Sequence, residues 1–409
     1  MTPNCSARAV EAEPFLPYGR QVIEADDIAA VAAVLEGDYL TTGPAVAKFE
    51  QALAGAVGSP CATVCSNGTA ALYLAARALK LGPGSKVVVP SITFLATASA
   101  PHMSGAEIVF ADVDPDSGLM RPKDLADAIA RVGGADAVFN VHLNGQCGAV
   151  EEIAEIARDH GMKIVDDACH ALGTCYRTSD GSLKQAGDNA FSDLTVFSFH
   201  PVKAIAMGEG GAVTTTDAGL DAALKRERNH GMTREPEDFT APDAFEASGH
   251  ANPWYYELVE PGFNWRANDI QCALGLSQLG KLERFAARRR ALAAAYDALL
   301  APLAPHLKPV AKTWACRPNL HLYPVLIDFE ACGLGRAELM ARLAAEHIGS
   351  QVHYFPVHRQ RYYARRYGPL TLPGAERYYA RVLSLPFFAA MTIRDVERVV
   401  AALTRLLGL

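Results

Sequence analysis

The sequence lacks most of the signatures by which enzymes of its size hold nucleotides or metals. Across 409 residues no G-x-G-x-x-G follows a strand pattern, and no G-x-x-x-x-G-K-[ST], H-E-x-x-H or G-x-S-x-G occurs. Nicotinamide, flavin, P-loop, zincin and α/β-hydrolase chemistry are thereby disfavoured. Gly208-Glu209-Gly210-Gly211 has neither the spacing nor the following helix of a dinucleotide loop. A basic excess is also missing, with 38 Lys and Arg against 45 Asp and Glu and a net charge of −7, which argues against nucleic-acid or membrane-surface partners. No charge-free apolar run of membrane-spanning length appears, and Met1 to Glu13 has no signal-peptide core, so a cytoplasmic location is expected. In that compartment the Asn67-Gly68-Thr69 sequon has no role. The nine cysteines are scattered, odd in number and without a C-x-x-C, so reduced thiols and no metal site are expected.

What is present is a chain 50% hydrophobic and 20% charged, long enough for two or three domains with a sizeable core. From Asp26 to Asp217 helical and strand-like patterns alternate. Ile28, Val31 and Leu35 share one helix face, and Val46, Phe49, Leu53 and Val57 the next. A third helix with Leu72, Ala75 and Leu79 opens after Ser66-Asn67-Gly68. Apolar runs at Lys86–Pro90, Glu107–Val113, Asp136–Val141 and Lys163–Asp166 read as buried strands separated by helices over Pro122–Val132 and Val150–His160. This βαβ rhythm predicts an α/β fold with a mostly parallel sheet covered by helices. Two further β-rich runs, Leu194–Phe199 and Gly211–Thr216, flank a Gly-rich turn. The stretch 233–256 has no period and reads as a long surface excursion. One long helix is predicted from Leu274 to Tyr296. Beyond it the pattern is α+β: strands at His321–Asp328 and Gly349–Tyr354, helices at Arg336–His347 and Arg394–Leu407. The expected organisation is a tail over 1–15, a large domain over 16–285 and a smaller α+β domain over 286–409.

Three short segments carry chemistry, each at a strand-to-loop transition, where open α/β sheets place ligands. Cys65-Ser66-Asn67-Gly68-Thr69-Ala70 opens a helix with small residues and offers free N–H groups to an anion, although an ordinary helix cap has the same composition. Ile164-Val165-Asp166-Asp167 ends an apolar strand in two acids. Successive strand residues face opposite sides, so only one of the two can aim into a given site. Phe197-Ser198-Phe199-His200-Pro201-Val202-Lys203 delivers a single lysine from an apolar run into a turn. Taken alone this is a surface lysine; partly desolvated, it is the amine that Schiff-base chemistry needs. Together the three segments meet the needs of pyridoxal 5′-phosphate: an anion cradle, an amine for its aldehyde and a carboxylate for its ring nitrogen.

At these residues the chain resembles the DegT/StrS family of sugar aminotransferases, pyridoxal-phosphate enzymes of fold type I, from about Tyr18 to the C-terminus. The likeness is carried by Leu40-Thr41-Thr42-Gly43-Pro44, Ser66 to Leu72, Pro90-Ser91-Ile92-Thr93-Phe94, Asp166-Asp167-Ala168, Phe197-Ser198-Phe199-His200, Glu209-Gly210-Gly211 and Phe263-Asn264-Trp265-Arg266. The resemblance implies that Lys203 holds the cofactor aldehyde and moves the proton, and that Asp167, rather than Asp166, pairs with the pyridinium. It implies Phe94 stacked on the ring and His170 beside it. The phosphate is expected on the Gly68 and Thr69 amides and the Ser198 hydroxyl, with Asn264 reaching the phosphate of a neighbouring subunit in a homodimer.

Tyr18-Gly19-Arg20-Gln21, the Lys203 loop and Val352-His353-Tyr354-Phe355-Pro356-Val357-His358 are similar to the pseudaminic-acid branch of the family. That branch transfers an amino group from L-glutamate to C4 of a UDP-4-keto-6-deoxy-N-acetyl-hexosamine. His321, His353, Tyr354 and His358 are the candidates for the sugar-nucleotide pocket. The rival substrates are other nucleotide 4-keto sugars, a UDP-4-keto-pentose or GDP-4-keto-6-deoxymannose, and the rival of another class is a non-catalytic cofactor-binding regulatory protein. A dehydratase of the family would carry His in place of Lys203. Cys147 departs from the family pattern, which often has Pro or another small residue there, and 233–256 is longer than the resemblance leads one to expect.

Overall fold

The structure, a computed structural model, describes residues 14–313 and 316–409, so nearly all of the expected tail over 1–15 lies outside the described residues. Seven strands form the central sheet: β1 Cys61–Cys65, β2 Lys86–Pro90, β3 Glu107–Ala111, β4 Ala137–Val141 and β5 Lys163–Asp167, then Leu194–Ser198 and Gly211–Thr215. A hairpin of β6 Cys175–Arg177 and β7 Leu183–Gln185 precedes the last two, which are therefore β8 and β9. The spatial order is β1-β9-β8-β5-β4-β2-β3, and β9 alone runs against its neighbours.

The apolar strands are continuous runs because both faces of the sheet are covered. On β2, Val87 and Val89 join one core with Phe139 and Val165, while Val88 between them joins another with Val109, Val138 and Ile164. Helices α3 (Gly68–Ala78) and α4 (Ala96–Met103) supply the first face; α5 (Pro122–Val132) and α6 (Val150–Asp159) supply the second. α5 begins on Pro122 at its first turn, where a missing N–H does no harm. A separate three-stranded antiparallel sheet, Leu307–Pro309, Tyr323–Ile327 and Val382–Leu385, packs its apolar residues with the helix Ile393–Leu407. The excursion at 233–256 is closed by pairing of Met232–Thr233 with Glu257–Leu258 and holds itself together by Phe239 packed on Phe245 and Tyr255.

Two expectations are corrected. The helix predicted over Leu274–Tyr296 is two helices, Asp269–Leu279 and Leu282–Leu300, with the break at Gly280 and Lys281. Gly280 is a weak helix former, and Lys281 is drawn out of register by three acids beside the first helix of the chain (α1, Ala25–Leu35). Its Nζ lies 2.6 Å from Asp26, 2.7 Å from Asp27 and 3.4 Å from Glu24. The strand predicted over Gly349–Tyr354 is a single bridge, Gln351 to Ser384. Gly349 N–H is claimed by Leu16 C=O, and after Gln351 the chain turns to deliver His353 and Tyr354 to the interior.

The side chain of Lys281 is 9% exposed and that of Asp27 fully buried. Lys281→Ala leaves the buried carboxylate without its cation and is expected to lower unfolding stability by about 3 kcal/mol, measured by urea denaturation. A loss within a few tenths of a kcal/mol would show that the Ser277 and Gln278 hydrogen bonds to Asp27 suffice.

Candidate active site

The sequence-predicted segments meet at the carboxyl ends of β1, β5 and β8. At the end of β1 the chain turns into α3 with Asn67 as its cap, Oδ1 accepting from Ala70 N at 2.8 Å. Ala71 N–H is taken by the Asn67 carbonyl, so the N–H groups of Gly68 and Thr69 are the ones aimed outward at the helix start. A Cβ on Gly68 would stand 2.9 Å from Ser198 Cβ and 3.2 Å from its Oγ, so the serine hydroxyl and the helix start form one cradle. Gly211 makes this possible. It pairs with Cys65 across β9 and β1, and a Cβ there would meet the Asn67 oxygen at 2.3 Å. Ser66 Oγ, at the same turn, is buried without a partner.

Asp167 ends β5, 5% exposed. Its Oδ2 accepts from Thr97 Oγ1 at 2.7 Å and its Oδ1 from Cys169 N at 3.1 Å, which fixes the carboxylate plane. Thr97 is itself bonded to Thr93, one turn back at the entry to α4. Asp166 points the other way, to Asn140 Nδ2 at 3.3 Å and His142 Nε2 at 3.5 Å. The pleat therefore assigns one acid to each side of the sheet.

Lys203 follows β8, half-buried, its N–H bonded to His200 C=O at 2.8 Å. Burial pulls its amine pKa below the ordinary lysine value, opposed by the neighbouring Cys169 and Asp167. Its backbone carbonyl accepts from Arg289 Nη2 at 3.1 Å, on the helix Leu282–Leu300.

Histidines and aromatics line the remaining side. His170 Nδ1 accepts from Asn144 N at 3.2 Å, so the proton of the neutral ring sits on Nε2, which faces Tyr354 OH at 3.2 Å. The His170 and His321 rings lie 4.4 Å apart, and Tyr354 stands 4.8 Å from the His353 ring and 6.2 Å from Phe94. Phe94 presents an exposed face (51%). Burial, then the Lys203 charge, holds His170 and His321 well below the ordinary imidazole value and His353 at about 3.

The structure thus brings Gly68, Thr69 and Ser198 into one cradle, and sets Asp167, Lys203, His170, His321, His353, Tyr354 and Phe94 about one space. Two candidates stand elsewhere. His358 is buried against Ser91 Oγ at 2.6 Å and packs on Phe110, outside that space. Asn264 is exposed, its Oδ1 accepting from Arg266 N, on a loop whose Trp265 carbonyl accepts from Ser66 N at 2.7 Å. Sequence reasoning did not single out Ser66, Thr97, Cys169 or Arg289. Of these only Thr97, four residues after Thr93, left a spacing signal.

These residues fit pyridoxal phosphate: a cradle that only glycine leaves open, a buried and oriented carboxylate, and an amine that desolvation favours as the free base. A cofactor site of this kind at the strand ends of an α/β sheet defines a pyridoxal-phosphate-dependent transferase. The sequence profile of the DegT/DnrJ/EryC1/StrS aminotransferase family matches residues 21–404, and the chain belongs to that family. It is a pyridoxal-phosphate-dependent sugar aminotransferase. Among solved structures it is similar to Helicobacter pylori PseC, an aminotransferase involved in the biosynthesis of pseudaminic acid, with 28% identity over 97% of this chain and 100% of that one and a TM-score of 0.86. The pyridoxal-phosphate form of Spr1654, a sugar aminotransferase from Streptococcus pneumoniae, shares 25% identity over 96% and 99% of the two chains with a TM-score of 0.84. DesI, solved in the presence of its TDP-sugar product, shares 32% identity over 96% and 93% with a TM-score of 0.81.

Gly68→Ala is expected to close the cradle and weaken cofactor binding by about tenfold or more (~1.4 kcal/mol), read by spectrophotometric titration with pyridoxal phosphate. Unchanged affinity would place the phosphate elsewhere.

The buried histidines also set a pH dependence. Folded, His170, His321 and His353 stay neutral below 6.5, where the unfolded chain protonates them. Their contribution is full above 6.5 and is lost as pH falls from 6.5 toward 3, by about 1.4 kcal/mol per pH unit for each proton taken up on unfolding. His142 opposes this: burial works against its charge, but Asp166 raises it. Urea midpoints at pH 7 and pH 5 should show a net loss on acidification, smaller in His353→Gln; a flat profile would mean that the rings protonate in place.

Proposed function

We propose that the chain transfers an amino group from L-glutamate to C4 of a UDP-4-keto-6-deoxy-N-acetyl-hexosamine, in the manner of the pseudaminic-acid branch, as a cytoplasmic homodimer. The observation that carries this reading is the full-length likeness to PseC. The segment Val352 to His358, which delivers His353 and Tyr354 beside Lys203, adds to it.

Pyridoxal phosphate, when bound, supplies the electron sink that makes proton removal beside a nitrogen feasible. The chain does the rest. The Gly68 and Thr69 N–H groups and the Ser198 hydroxyl hold the phosphate, with the unpartnered Ser66 hydroxyl within the same turn. Asp167, locked by Thr97 and the Cys169 N–H, would pair with the ring nitrogen and favour its protonated form. Phe94 would stack on the ring, and His170, held between Asn144 N–H and Tyr354 OH, would stand beside it. Lys203 Nζ, whose basicity burial lowers, would take a proton from one carbon and return it to the next. His321, His353 and Tyr354 form a neutral wall against which a sugar can lie without competing for that proton. His358 acts through the Ser91 turn rather than on the sugar. Asn264, exposed in the single chain, serves the phosphate of the partner subunit.

The test has two parts. L-glutamate alone should convert the cofactor to its amine form and release 2-oxoglutarate, a change lost in Lys203→Ala; an unchanged spectrum in the wild type would support a non-catalytic role. A panel of UDP-4-keto-hexosamines, a UDP-4-keto-pentose, GDP-4-keto-6-deoxymannose and a TDP-4-keto sugar then reads the acceptor. The hexosamine should lead in kcat/KM by at least about tenfold (~1.4 kcal/mol in transition-state binding); a lead by any other sugar overturns the substrate assignment and leaves the reaction class standing.

A further inference from the structure

Behind the site lies a group of ionisable side chains that the transfer reaction does not use: Asp166, His142, Cys147 and Cys316. Asp166 and His142 are 6% and 1% exposed, and His142 Nδ1 is buried without a partner. Cys147 is buried in the turn after β4, and Cys316 is partly exposed at the start of a two-residue strand, Cys316–Arg317, that pairs with β6. The register places Cys316 opposite Tyr176, so both side chains leave the same face, toward the core that holds Tyr176 and Cys147. Cys175, the neighbour of Tyr176 along the strand, faces away.

The Cys147 and Cys316 thiols interact directly, and the Cys316 strand is tied to the Cys147 turn by Thr313 N–H on Gln146 and Thr313 Oγ1 on Cys147 C=O. The interaction is lopsided. Their contact lowers the Cys316 pKa and, with burial, pushes Cys147 up, and exposure separates the two: Cys147 is buried and Cys316 partly exposed. Cys316 is the more accessible thiol and Cys147 the enclosed one, which is the division between an attacking and a resolving cysteine.

We propose that Cys316 and Cys147 are a peroxide-responsive thiol pair that closes reversibly to a disulfide and stiffens the wall of the active site. The oxidant is hydrogen peroxide. The Cys316 thiolate attacks one peroxide oxygen; the S–O bond forms, the O–O bond breaks, and the other oxygen leaves as hydroxide and is protonated to water. The Cys147 sulfur then displaces the hydroxyl from Cys316, its thiol proton leaving with that hydroxyl as a second water. Two thiols are oxidised and one peroxide is reduced. A dithiol reverses the bond.

The bond would matter to the site because the two segments are already woven together beyond it. Asn144 accepts from His321 N at 3.2 Å through its carbonyl and from Leu322 N at 2.8 Å through its side chain, while its own N–H holds His170. A covalent link between 147 and 316 therefore restrains the backbone that sets the His170–His321 contact.

The experiment uses the full-length holoenzyme, titrated with hydrogen peroxide, trapped with an alkylating agent and mapped by mass spectrometry without reduction. A peptide joining Cys147 to Cys316, lighter by two hydrogens and released by dithiothreitol, is expected, with slower amide exchange over 142–147 and 316–322 in the oxidised protein. Cys316→Ser should abolish the linked peptide. Cys147→Ser should halt at the Cys316 sulfenic acid, captured by dimedone, a readout that wild-type protein trapped at early times also provides should the variant not fold. A Cys175–Cys316 link, oxidation confined to other cysteines, or thiols at both positions untouched by peroxide overturns the proposal.

Discussion

An amine that is to react has to be partly kept from water, and this constraint organises the surroundings of Lys203. Desolvation lowers its basicity, but every group that shares the space must then also be neutral or be paired. Hence the three imidazoles beside it are held unprotonated, and the one carboxylate on that side is tied by a threonine hydroxyl and a backbone N–H. The single guanidinium close by, Arg289, reaches the lysine through its main-chain carbonyl and not its amine. A charged histidine in that wall would raise the energy of every protonated state of the lysine.

The sheet solves a related problem with two adjacent acids. Burying both Asp166 and Asp167 on one side would force one of them to take up a proton. The pleat separates them, giving one to the cofactor side and the other to Asn140 and His142 on the reverse. The same strand thereby supports two polar clusters that do not compete. The reversed direction of β9 matters here too: it returns the chain from the lysine loop so that Gly211 lies against the Asn67 carbonyl, bringing the two halves of the cradle together.

Much of this was legible in the sequence because it is written in local pattern. Buried strands of about five apolar residues, a capped helix after a small-residue turn and paired acids at a strand end all depend on near neighbours, and each falls in the structure within a residue or two of its predicted place. The failures are where distant charge or distant backbone decides. The break at Gly280 and Lys281 needs acids more than 250 residues away in the chain, at 24, 26 and 27. The segment after Gly349 looks β-rich, but Leu16 and Ser384 occupy its hydrogen-bonding groups one at a time and no ladder forms. Thr97 and Arg289 act on the site through contacts of long sequence separation, and a lone arginine in an Arg-Arg-Arg run carries no mark of which one is buried. His358 shows the converse: a histidine in a suggestive motif whose partner, Ser91, turns it inward.

The interruption between the helices Asp269–Leu279 and Leu282–Leu300 gives the fold a joint. Arg289 stands eight residues along the second helix from Lys281, about 12 Å at 1.5 Å per residue, so the acidic anchor at 24–27 fixes the start of the helix that carries it. A tilt of roughly 10° at that start would carry the guanidinium by about 2 Å, most of the length of a hydrogen bond, and with it the main chain that bears the reactive amine. The acids at the amino-terminal helix thus help set where Arg289 meets the Lys203 main chain.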